Sequence, residues 1–137
     1  MYLRLLIIFL SITFVTDMQT VLPPTTQPSV VHAESLEYPR VALFAQIVGD
    51  VNVAIKIASD GGVRSATAMS GHDFLRRAAE ENAKRWRFQP GSDQMFHLTY
   101  HFKLEDPAVR DPHTECSFDL PDEVTVVANR QAVVGRP

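Results

Sequence analysis

Between Asp50 and Asp60 the chain reads VNVAIKIAS, with Val51, Val53, Ile55 and Ile57 at every second position and Asn52, Ala54, Lys56 and Ala58 between them. Side chains alternate between faces only on a strand; on a helix this spacing would scatter the apolar groups around the axis. The segment therefore predicts a strand in a sheet with one packed face, and its β-branched residues suit that conformation. Asp60-Gly61-Gly62 follows, and these residue types tolerate the positive φ of a tight turn. Val63–Met69 is accordingly expected to return antiparallel.

A helix comes next. Ser70-Gly71-His72-Asp73 is a start signal whose short polar side chains can accept bonds from the first backbone N–H groups. From about His72 to Arg87, the residues Phe74, Leu75, Ala78, Ala79, Ala83 and Trp86 form an apolar stripe at helical spacing. Arg76–Glu80, Arg77–Glu81, Glu80–Lys84 and Glu81–Arg85 are spaced as i to i+4 pairs on the outer face. Pro90 and Gly91 mark the exit. The stretch KRWRFQPG (84–91) mixes cations with aromatic rings, as a nucleic-acid contact would. Placed at the end of an amphipathic helix, its Trp86 and Phe88 are expected in the core instead.

After Gly91 a second alternation sets Leu98, Tyr100, Phe102 and Leu104 against His97, Thr99, His101 and Lys103. Asp106–Cys116, rich in Pro and charge, reads as loop, and Val124–Ala128 as one more strand. The expected fold is α+β: a small antiparallel sheet with one helix packed across it, in the order strand-turn-strand-helix-strand, with an extra C-terminal strand.

The N-terminus has a different character. Leu5–Val15 is an almost unbroken apolar run after Arg4, about 16 Å if helical, which is short for a membrane span and suited to an export signal. Val31-His32-Ala33 offers small residues for cleavage; a short retained anchor is the alternative. Asp17–Glu37, with Pro23, Pro24 and Pro28, is expected to be a tether or a discarded leader. This divides the chain into 1–33 as signal or anchor, 34–105 as the domain, and 106–137 as an extension. Membrane contact is expected only through the N-terminal segment, if it is uncleaved.

Little points to chemistry. The net charge of −3 argues against a dedicated nucleic-acid binder. Cys116 is the single cysteine, so no disulfide can form within the chain. A nucleophile–base pair of Cys116 with His113 has no oxyanion-hole signature to support it. His97 and His101, four residues apart on a strand, would sit about 13 Å from each other, too far to share a metal ion. Phosphate-loop, zinc-protease and nucleophile-elbow motifs are absent from the sequence, so neither an enzyme nor a cofactor is expected.

Taken in order, Tyr38-Pro39, Gly49-Asp50-Val51, Asp60-Gly61-Gly62-Val63, Ser70-Gly71, RWRFQPG (85–91) and the strand from Met95 to Glu105 resemble the TonB C-terminal domain family. The resemblance implies a periplasmic or secreted protein-binding module in energy-coupled transport. Members of that family grip a short segment of an outer-membrane transporter by adding it to the edge of their sheet. Carried over, the partner-binding edge comprises Phe96, His97, Leu98, Thr99, Tyr100, His101, Phe102 and Lys103, with Tyr38 and Pro39 beside it. The alternative is an envelope domain with a structural role, pairing with a second copy as a homodimer and taking no part in transport.

Overall fold

A computed structural model describes residues 27–106 and 114–130. The elements run β1 (Val30–His32), α1 (Arg40–Phe44), β2 (Gly49–Ile57), β3 (Val63–Ala68), α2 (Asp73–Ala83), β4 (Arg87–Phe88), β5 (Gln94–Glu105), β6 (Thr114–Asp119) and β7 (Glu123–Asn129). Five strands form one sheet in the order β3-β2-β5-β7-β6, and β1 pairs with β4 in a separate two-stranded ribbon. The α+β architecture is the one the sequence leads to. Its sheet is mixed, because β7 runs parallel to β5 while every other pairing is antiparallel.

The alternations become the two faces of this sheet. Val51, Val53, Ile55 and Ile57 of β2 are buried with Leu98, Tyr100 and Phe102 of β5 and Val124, Val126 and Ala128 of β7. Leu75, Ala79 and Ala83 of α2 are buried in the same core. On the opposite face Asn52, Lys56, His97 and Lys103 are exposed. One layer of helix and N-terminal chain thus covers one side of the sheet.

The β2–β3 loop closes with Ala58 N donating to Gly62 O (2.8 Å) and Asp60 Oδ1 accepting from Gly62 N (2.9 Å). Past the helix the outcome differs from expectation in one respect. α2 ends at Ala83 rather than Arg87, with Lys84 as its C-cap. Arg87 and Phe88 leave the helix because β1 offers them backbone partners: Val30 pairs with Phe88 and His32 with Arg87. Trp86 and Phe88 are core residues all the same, 0% and 2% exposed, with stacked rings 6.1 Å apart.

The i to i+4 ion pairs expected along α2 do not form. Arg76 instead reaches Asp73 (3.4 Å) and donates to Ala68 O (3.2 Å), while Glu80 Oε1 accepts from Ala68 N (2.7 Å). Arg85 lies 3.7 Å from Glu34. Backbone groups at the end of β3 and the N-terminal chain compete successfully for side chains that an isolated helix would pair with one another.

Residues 27–37, expected to be tether or leader, belong to the packed structure. Pro28 is buried, Ser29 O accepts from Gln89 N (2.8 Å), and Leu36 packs against the core. A cut after Ala33 would separate β1 from the strand it pairs with. The apolar run Leu5–Val15 lies outside the described residues, and no helix among those described is long and apolar enough to cross a membrane.

Candidate functional site

β5 is the longest strand and the centre of the sheet. Along one side it pairs with β2, from Gly49↔Phe102 to Ile57↔Gln94. Along the other it pairs with β7, from Thr99↔Glu123 to Glu105↔Asn129. The edge assigned from sequence to partner binding is therefore covered over Thr99–Lys103. Phe96, His97 and Leu98 have no strand on that side among the described residues.

The topology explains why this was not legible. The segment read as loop up to Cys116 contains the start of β6, which makes a hairpin with β7 from Thr114↔Ala128 to Asp119↔Glu123. The chain leaves β5, skips one strand position to lay down β6, then turns back to fill the vacant slot with β7. Parallel partners leave no turn signature between them, so neither alternation nor turn residues announce the pairing.

The eight predicted residues on β5 divide into three groups. Leu98, Tyr100 and Phe102 point into the core. His97, Thr99, His101 and Lys103 point to the open face, where Thr99 Oγ1 donates to Asn52 Oδ1 (3.0 Å) and His101 Nδ1 lies 2.7 Å from Asp50 Oδ1. Phe96 is half-buried, its ring edge-on to Phe88 at 6.3 Å.

Tyr38 and Pro39 do not line an edge. Tyr38 is buried, sets its ring edge-on to Phe102 (5.5 Å, 85°) and donates its hydroxyl hydrogen to Ile47 O (2.5 Å). Pro39 is the N-cap of α1. Burial pushes the Tyr38 phenol up from 10.0 to about 12 and raises Tyr100 further, with Cys116 adding to the effect.

A phenol held protonated in the fold contributes stability below its unfolded pKa near 10 and loses it as pH rises through the folded value. For Tyr38 that stability is lost between about pH 10 and pH 12. Urea unfolding midpoints should therefore fall across that window, and Tyr38→Phe should shallow the fall.

Sequence reasoning missed Asn82, the one buried polar residue in the described part of the chain, 2% exposed. Its Oδ1 accepts from Trp86 Nε1 (3.0 Å) and Tyr100 OH (2.9 Å), and its Nδ2 donates to Glu34 O (2.9 Å) and Ser35 O (3.1 Å). One amide thus joins α2, the central strand and the N-terminal chain. The available signal was positional: Asn82 falls between Ala79 and Trp86 on the apolar stripe, where a polar residue must find partners.

The two outer strands differ in accessibility. At β3, Glu80 and Arg76 of α2 occupy the N–H and C=O of Ala68, and Gly62 bridges to Arg87 of β4. At β6, Glu115 and Asp119 are exposed, and charges of this kind discourage unwanted pairing. Cys116, half-buried in β6, has its thiol pKa raised by burial, opposed by a backbone hydrogen bond from Leu36. Among the described residues no cluster of three or more His, Cys, Asp or Glu could hold a metal ion.

Residues 34–105 match the family model for the C-terminal part of the Gram-negative bacterial TonB protein. The match covers just over half of the chain and stops at the last residue of β5, so β6 and β7 lie beyond it. No curated protein matches the chain.

Proposed function

The chain belongs to the TonB C-terminal family, and from that membership we propose that this periplasmic-type protein-interaction module takes up an extended segment of an outer-membrane TonB-dependent transporter as an added strand. The binding strand in this reading is β5, along Thr99–Glu105. The observation that carries it is the β5–β7 pairing itself. A segment from outside the family-matching region adds to this side of β5 over seven consecutive residue pairs, so the strand accepts a parallel neighbour through main-chain hydrogen bonds. In strand addition those bonds supply affinity, and the side chains at alternate positions supply selectivity. The function is non-enzymatic, and the N-terminal apolar run supplies export.

The test is direct. The N-terminal periplasmic segment of a TonB-dependent transporter, made as a labelled peptide, is titrated into the exported form of the protein. Saturable binding, abolished by a proline in the middle of the peptide where a backbone N–H is needed, is the expected result. Absence of binding to transporter segments, together with a concentration-dependent dimer, would replace this reading with self-association.

A further inference from the structure

β7 stands where the proposed function puts a partner. We propose that β7 is an internal stand-in for the partner's strand: the β6–β7 hairpin closes the β5 edge, and a partner segment enters by displacing β7. This rests on the strand-addition reading and adds to it the pattern the segment must carry. Such a segment lies parallel to β5 and presents small apolar side chains at three alternate positions, as Val124, Val126 and Ala128 do toward the core.

Two observations converge on this. The family match ends at Glu105, so the edge belongs to the matched domain and its cover does not. β7 and β6 stand at one end of the sheet, beyond β5, so their hairpin can leave without breaking β2–β5 or β2–β3. Besides the β5–β7 ladder, the hairpin is held by Val124, Val126 and Ala128 in the core and by the Trp86–Phe118 ring contact (5.9 Å, 70°), so a segment that replaces β7 must refill the same apolar positions.

Exchange of one strand for another replaces lost main-chain bonds with equivalent new ones. The balance is then set by side-chain fit and by the fraction of molecules with the slot open, and apparent affinity falls in proportion to that fraction.

A reversible lock tests the idea within one protein. His101 and Thr125 are register partners on β5 and β7. Neighbouring strands about 4.8 Å apart fall within disulfide reach. The full chain carrying His101→Cys and Thr125→Cys, with Cys116→Ser to prevent mispairing, is titrated oxidised and reduced with two probes. One is a transporter N-terminal segment; the other is a synthetic copy of this chain's residues 122–129.

Both redox states carry the same substitutions, so the readout is the difference between them: reduction should restore binding of both probes that oxidation abolishes, at equal far-UV circular dichroism. Phe118→Ala, which removes the hairpin's contact with Trp86, should tighten transporter binding by about tenfold through a larger open fraction. Equal binding of the transporter segment in both redox states would overturn the displacement and leave transporter recognition standing. Binding of the 122–129 copy alone, lost on oxidation, would support a displaceable β7 and remove the transporter as its competitor. Binding of neither probe in either state would overturn both.

Discussion

Replacing Asn82 with leucine should destabilise the protein by on the order of 4 kcal/mol, a large share of the ~5–15 kcal/mol by which a small domain is stable. Leucine fills similar space but cannot accept from Trp86 Nε1 or Tyr100 OH, nor donate to the carbonyls of Glu34 and Ser35. Trp86 and Tyr100 are fully buried, so their donors would lose their partner where water cannot replace it. Each such orphan costs about 1–3 kcal/mol. Chemical denaturation gives the loss. Adding Tyr100→Phe to the leucine variant should recover part of it by deleting one orphaned donor, a non-additivity expected only of groups in one network. If Asn82→Leu changes stability by less than about 1 kcal/mol, the amide is not the junction described.

Gly61→Ala should cost on the order of 3 kcal/mol, although it adds only a methyl group. Gly61 has φ +86°, and a Cβ there would lie 2.0 Å from the carbonyl oxygen of Phe88. The positive φ alone costs an L-residue roughly 1–2 kcal/mol. The carbonyl cannot retreat freely, because Phe88 N donates back to Gly61 O (2.8 Å) and Gly91 N donates to Ser59 O (2.9 Å). The β2–β3 loop and the exit from α2 are locked together at this point. Gly91→Ala is the control: no atom lies within 4 Å of its added Cβ, and its effect should stay within about 0.5 kcal/mol. Equal melting temperatures for the two variants would refute the close approach.

These two sites mark where local sequence stops being informative. The faces of β2 and β5 are written in their alternation, because burial on one side of a sheet selects residues two apart. Gly61 is legible as a turn residue, but the Phe88 carbonyl pressed against it is a tertiary fact. Asn82 is visible only as an irregularity in an apolar stripe. β7 was legible as a strand, whereas its place beside β5 was not, because a parallel slot filled after a skipped position leaves no trace in residue spacing. Tyr38 shows the limit of transferring a motif: Tyr38-Pro39 is part of the resemblance to the family and was placed beside the binding edge, yet the ring packs on Phe102 within the core. The consequence for function is specific. The strand expected to offer a free edge already carries a neighbour, so the recognition proposed at β5 requires exchange.

Amide hydrogen exchange on the full chain, with and without a saturating transporter segment, reads this exchange strand by strand. Recognition at β5 requires Thr99–Glu105 to stay protected in the complex while Glu123–Asn129 lose protection as the transporter segment takes their place. New protection on β3 or β6, with β7 unchanged, would contradict it and move the binding edge elsewhere on the sheet.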